Sequence, residues 1–317
     1  MLKNEIEIAA ITCVNGNTMV SNVYTNVQRI LKLCNTEHIP VYIGASEPLI
    51  IPENKFECYY HGKDGLGDLQ YENDNLTVKN NDYNRMKLSQ CKSVNDSDKI
   101  NSNNVHVPNR FSDNAIVALN KIVSENAGDI TLICLGPLTN IALAMKVYSQ
   151  FASNIQEIYI MGGNHKGVGN VTSAAEFNFH IDPEAAYIVL HYSKCPITIL
   201  PWEPCMDSTI TLDWRFNTLG KVNHPTMNLL NAAEKRIYED MEKFWWPCDA
   251  FLVAAFLFPD VAKTSLNCHA SVELHGNRTR AQMVINHTKE LKPNVAVITE
   301  LNLDLFKSIL LQTFNHK

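Results

Sequence analysis

Five short runs rich in valine and isoleucine, at 6–14, 40–44, 130–136, 157–162 and 196–201, each give way to a stretch with helical spacing. Short, nearly unbroken apolar runs suit strands that are buried on both faces. Their alternation with helices predicts an α/β fold, with a mostly parallel central sheet flanked by helices in an open, Rossmann-like arrangement. One helix start is well marked. Asp182 is a good N-cap, Pro183 suits the first helical position, and Glu184 puts an acid in the first turn. After Pro137, the stretch 138–151 is apolar at helical spacing. Further on, 270–274, 282–286 and 295–299 read as strands, and 301–314 reads as a closing helix with Leu303, Phe306, Leu310 and Leu311 on its apolar face. No internal repeat is evident, so residues 1–317 are expected to form a single domain.

Residues 71–106 break this pattern. They are crowded with asparagine, aspartate, serine and lysine, and read either as a solvated surface insertion or as a flap over a pocket. The 317 residues are 45% hydrophobic and 19% charged, which suffices for a core without disulfides or a structural metal. A net charge of -6 with no long basic run argues against nucleic acid or a membrane surface as partner. No apolar run is long enough for a transmembrane helix. The nine cysteines form no Cys-x-x-Cys pair, as expected for reduced, mostly buried thiols. The first residues lack the basic-then-apolar order of a secretory signal, so the expected location is cytoplasmic.

In open α/β sheets, ligands bind beyond the carboxyl ends of the strands. Asn17 follows the first strand on an Asn15-Gly16 turn. Its carboxamide can both donate to and accept from a sugar hydroxyl, though the segment could also be a plain strand-to-helix turn. The segment 61–68 (HGKDGLGD) packs three glycines and four ionisable groups together, including His61. Such a loop brings its backbone close to something, but it lacks the spacing of a phosphate loop. At 161–186 a strand ends in Met161-Gly162-Gly163, and a polar loop then presents Asn170, Glu176 and Asn178. Two amides and a carboxylate suit a polyol or a metal; alternatively they cap helices and tie down the loop. No Gly-x-Gly-x-x-Gly follows any strand, which disfavours a dinucleotide site.

Taken with 11–17 (ITCVNGN), 135–142 (LGPLTNIA) and Cys248-Asp249-Ala250, these segments resemble the inosine–uridine-preferring nucleoside hydrolase family, in the family's order and over essentially the whole chain. The resemblance implies hydrolysis of the N-glycosidic bond of ribonucleosides to ribose and free base. A small-molecule nucleoside would be the partner and a calcium ion the cofactor, the ion gripping the ribose hydroxyls and the attacking water. By the same resemblance Asp249 is a calcium ligand and Leu135 supplies a carbonyl ligand. Asn17, Glu176 and Asn178 contact ribose hydroxyls, Asn170 and Met161 lie toward the 5′ end, and His61 is close by. Cys248 stands where the family often has histidine or tryptophan, as in a cysteine-bearing subgroup. It either assists the departing base or is a small buried filler, since a thiol donates only weakly and cannot stack as an indole does. A helix over 227–246, with Tyr238, Trp245 and Trp246, either walls the base side or belongs to the core. The family commonly forms dimers or tetramers, so a homodimer or homotetramer is implied.

One departure stands out. Family members begin with a strand ending in Asp-x-Asp-x-x-x-Asp-Asp, which carries the general base and most of the calcium carboxylates. Here no aspartate precedes Asp64, and residues 1–8 align just ahead of the family's second strand. The expectation is therefore a missing first strand, an incomplete calcium site and impaired catalysis. The chain would be either a truncated form of an active enzyme or a catalytically inactive nucleoside- or ribose-binding protein. An open sheet edge also predicts low solubility.

Overall fold

The computed structural model describes residues 6–51, 60–69, 114–238, 243–288 and 290–315; the segment 71–106 lies outside them. Strand β1 (Ile11–Cys13) leads through α1 (Val20–Leu33) to β2 (Val41–Ile43), and the two strands pair in parallel. A second, six-stranded sheet is built from β3 (Ile130–Cys134), β4 (Ile155–Met161), β5 (Ile197–Leu200), β6 (Ala262–Val272), β7 (Met283–Asn286) and β8 (Val295–Leu301), in the order β3-β4-β5-β8-β6-β7. Its first four strands run parallel, and β6 runs antiparallel to both of its neighbours. The mostly parallel α/β reading holds, with an antiparallel C-terminal extension.

Period-two alternation sends each parallel strand's side chains into two cores. On one face, Ile158 and Ile160 of β4, Ile197 and Ile199 of β5 and Val297 of β8 pack with α2 (Ala115–Glu125), α3 (Thr139–Val147), α4 (Phe151–Asn154) and α6 (Pro183–Tyr192). On the other, Met161, Leu200 and Ile298 meet α7 (Trp202–Met206), α10 (Cys248–Leu257) and α11 (Leu303–Asn315). Ile158, Ile160 and Ile199 have no exposed surface, and burying each stabilises the fold by about 1.5–3 kcal/mol. Asp182 caps α6 as expected, accepting the Ala185 N–H at 3.0 Å.

The two sheets are joined by a buried amide. Asn140, at the start of α3, donates from Nδ2 to the Cys13 carbonyl (2.9 Å), and its Oδ1 accepts the Ala45 N–H (2.8 Å). That contact brings the carboxyl ends of β1, β2 and β3 together. A Cβ built on Gly136 would lie 3.4 Å from Val14. Among the described residues, however, no strand pairs with the outer edge of β3, where Ile133 is 37% exposed. Open apolar edges template association. The chain is therefore expected to form large, polydisperse species on concentration, and Ile133→Lys to shift it toward a single small species. Size-exclusion chromatography with light scattering checks this; identical profiles for the two proteins would count against it.

Three sequence expectations need correcting. The first strand covers Ile11–Cys13 rather than 6–14, because its partner β2 is itself only three residues long. The first C-terminal run, expected at 270–274, begins earlier, at Ala262, in a segment too polar to read as a strand. The helix expected over 227–246 is α9 (Pro225–Tyr238), which does not reach the tryptophans. There the Lys243 carbonyl accepts the Leu212 N–H (2.9 Å) and Trp245 donates to the Ile210 carbonyl (2.7 Å), while Pro247 disfavours helical geometry just before it.

Candidate active site

The carboxyl end of β4 places Met161, and the chain then turns through Gly162-Gly163 into a loop that closes at Glu176. Glu176 is the N-cap of the short helix α5 (Phe177–Ile181). Its Oε1 accepts the Asn178 N–H (2.9 Å), and its Oε2 accepts the N–H groups of Gly163 (2.8 Å) and Phe179 (3.2 Å). Gly163 has φ +69°, and a Cβ there would stand 2.9 Å from the Phe179 ring, so only glycine fits. Asn178 donates from Nδ2 to the Met161 carbonyl at 3.0 Å and lies 3.6 Å from its sulfur. The capping role raised for this loop is thus real for Glu176, and it fills about three of the roughly four acceptor positions of that carboxylate.

Glu176 does more than cap. It is 2% exposed, and its carboxyl is pushed up to about 7 by burial and further by the nearby charge of Asp249, against the lowering effect of its three N–H donors. Asp249, in the first turn of α10, is likewise pushed up to about 7 by burial, although its side chain is accessible to water. Asp249 is thus surrounded by protein atoms yet open to water. Water access also screens it, so its effect on stability is smaller than that of Glu176. His61 has the same character: it is half-buried, burial pushes it down to about 4, and it stands edge-on to Tyr60 at 4.8 Å.

On the same side, Cys248 is half-buried and its thiol donates to the Trp246 carbonyl at 3.5 Å. Beside it lies Cys205 of α7, a buried thiol raised well above its ordinary range by burial and by its neighbours Cys248, Asp249 and Glu176. Trp202 meets Trp246 edge-on at 5.7 Å, and the Trp246 backbone N–H donates to the Tyr238 hydroxyl (3.4 Å). Trp245 is 5% exposed in the core. Of the aromatics expected along the base side, Trp246 is therefore beside Cys248 and Trp245 is core. Sequence reasoning missed Cys205 and Trp202. Both follow β5, where the strand-end rule applied to 196–201 points, but the sequence does not show their contacts with Cys248 and Trp246.

The remaining candidates divide. A Cβ on Gly16 would lie 3.3 Å from Pro137 and 3.9 Å from Phe177, so the Asn17 turn, the Leu135–Pro137 segment and Asn178 share one end of the sheets. Asn170 is exposed, donates its N–H to the Ala175 carbonyl (3.1 Å), and stays outside the hydrogen-bonded cluster. The glycines after His61 serve packing. Gly67, at φ +81°, sits so close to α9 that a Cβ would lie 2.8 Å from the Ala233 carbonyl. A surface groove lined by Thr209, Ile210, Lys263, Leu301, Asn302 and Asp304 gathers none of these groups.

Residues 1–308 match the model of the family described as inosine-uridine preferring nucleoside hydrolase. The chain belongs to this family. Non-specific ribonucleoside hydrolase RihC of Salmonella newport is 26% identical over 317 residues, covering 98% of this chain and 90% of that protein. Uridine nucleosidase 1 of Arabidopsis thaliana is 34% identical over 198 residues, and probable uridine nucleosidase 2 of rice is 32% identical over 184. The chain spans about half the length of these two plant relatives (48% and 45%). Among solved structures, an inosine-guanosine nucleoside hydrolase superposes with a TM-score of 0.78 at 26% identity, over 98% of this chain and 91% of that one.

The nucleoside hydrolase family implies a metal. Calcium takes about 6–8 oxygens. The described residues offer the carboxylates of Asp249 and Glu176 and the Leu135 carbonyl, and among them no group of three His, Cys, Asp or Glu could hold a metal ion. By themselves these residues do not make a calcium site.

Proposed function

We propose that this protein is a ribonucleoside hydrolase, cleaving the N-glycosidic bond to give ribose and free base. The observation that carries this is the grouping of buried Glu176, its charged neighbour Asp249 and Asn178 beyond β4, in a chain of the nucleoside hydrolase family. In this reading Asn178, with its amide steered by the Met161 carbonyl, and Glu176, with its last acceptor position, hold ribose hydroxyls. Asn17 approaches the same sugar from the end of β1. Met161, His61 and Asn170 border the 5′ side, and Asp249 with the Leu135 carbonyl forms part of a calcium site. Cys248 faces the base beside Trp246 and Trp202, where its S–H assists departure of the leaving group.

The names of its relatives span uridine and inosine–guanosine, so the substrate class is ribonucleoside. We further propose that turnover by these 317 residues is impaired, with binding retained. The described site holds only two carboxylates, and both are raised toward the protonated form. A cytoplasmic homodimer or homotetramer is the proposed setting. No helix among the described residues is long and apolar enough to cross a membrane.

The test is nucleobase release from inosine and uridine, followed by chromatography, alongside nucleoside binding by calorimetry. Binding with slow release supports the proposal, whereas neither binding nor release overturns it. Asn178→Ala is expected to weaken nucleoside affinity at least about tenfold, the scale of one lost buried hydrogen bond. An unchanged Kd would remove Asn178 from the sugar site.

A further inference from the structure

The loop between β4 and α5 is anchored from a point the proposed chemistry does not use. Glu203, in α7 just past the carboxyl end of β5, has no exposed surface. Its carboxylate accepts the His165 N–H at 2.9 and 3.1 Å, the Lys166 N–H at 2.7 Å and the Val168 N–H at 3.3 Å, and the His165 Nδ1 lies 3.0 Å away. Burial alone would raise this carboxyl. The hydrogen bonds from the His165 ring and from the His165 and Lys166 backbone outweigh it and hold Glu203 at about 2.

The residue just ahead of this loop is gripped from both sides. The Gly163 carbonyl accepts the Trp202 N–H (3.0 Å), and the Gly163 N–H donates to Glu176. Asn164, fully buried, donates to the Ala174 carbonyl (2.7 Å) and accepts the Met283 N–H (3.1 Å), closing the loop behind it. A buried charge is costly unless it is fully hydrogen-bonded, and more so when left unpaired. Here, apart from its own backbone N–H, its donors come from one short loop. What the arrangement specifies is where that loop starts, and the loop's start sets the donor that orients Glu176.

We infer that Glu203 is a positioning residue, fixing residues 163–168 so that Gly163 holds the Glu176 carboxylate in the orientation the sugar site requires. Glu203 itself touches no substrate. The inference rests on the nucleosidase reading for its binding consequence, but not for its structural one.

Two measurements on the full chain separate these. In Glu203→Gln, the amide nitrogen turns a donor toward donors. Hydrogen–deuterium exchange at Gly163, Asn178 and Phe179 is expected to accelerate at least about tenfold, with β3, β4 and β5 unchanged. Inosine affinity is expected to fall by about tenfold or more, with KM affected more than kcat. Glu203→Asp, which keeps the charge, is expected to recover part of both, and it carries the test if the glutamine variant fails to fold. Unchanged exchange at those three amides overturns the inference, and so does acceleration spread equally over β3, β4 and β5. Should the unaltered chain bind no inosine, the nucleosidase reading fails while the exchange pattern still decides the role of Glu203.

Discussion

Fused ahead of Met1 to a segment carrying Asp-x-Asp-x-x-x-Asp-Asp, this chain is expected to release nucleobase at least about 10²-fold faster than its 317 residues alone, and only with calcium present. The described site supplies two carboxylates and a carbonyl, against the roughly 6–8 oxygens that calcium takes. Both carboxylates are pushed toward the proton-bound form, and the oxygens of Glu176 are largely engaged by N–H groups. Neither is free to take a proton from water efficiently, and a positioned general base is worth about 10²–10⁴-fold. Side-by-side rates for the two proteins, each with calcium and with chelator, check this. Equal rates for the two would show that the described residues already hold the whole machinery.

Much of this architecture is legible in the residues. Strands buried on both faces announce themselves as valine- and isoleucine-rich runs, and those at 130–136, 157–162 and 196–201 fall within a few residues of β3, β4 and β5. Asp182 and Pro183 mark a helix start by local chemistry alone. The strand-end rule led to Glu176 and Asn178, because the polar loop after β4 is long and unusual. What could not be read is set by distant partners. The division into two sheets depends on which edges pair, and Asn140, which joins them, looks like any helical asparagine until Cys13 and Ala45 are placed against it. Glu203 and Cys205 lie on a five-residue helix whose sequence, WEPCM, carries no periodic signal. Their neighbours His165 and Cys248 are far away along the chain. Trp245 and Trp246 are adjacent in sequence yet diverge, one into the core and one beside Cys248, because 243–245 pairs with 210–212 instead of continuing α9.

The same buried carboxylate that marks the site makes its stability depend on pH. Glu176 has a folded pKa of about 7, above its ordinary value of 4.5. Between these values the native state holds a proton that the unfolded state has released, so the stabilisation is complete below about pH 4.5 and is lost as pH rises through about 7. His61, pushed down to about 4 from 6.5, acts in the opposite sense: it favours the native state as pH rises through that window, and so partly masks the effect below pH 6.5. A comparison with Glu176→Gln isolates the carboxylate. The glutamine costs some stability at every pH, since its amide opposes the Gly163 and Phe179 N–H groups, but it carries no charge to desolvate. The melting temperature of the variant relative to the unaltered chain, measured in chelator, is therefore expected to improve from pH 5 to pH 8. Asp249→Asn removes a charge that raises Glu176 and should shrink the pH-dependent loss in the unaltered background. That variant is also expected to lose at least about tenfold in nucleoside affinity, since active sites commonly hold groups that lower stability in exchange for function. A difference between Glu176→Gln and the unaltered chain that stays constant across pH 5 to 8 would show that Glu176 is ionised throughout, and would remove the electrostatic argument for a cation- or sugar-binding site at this point.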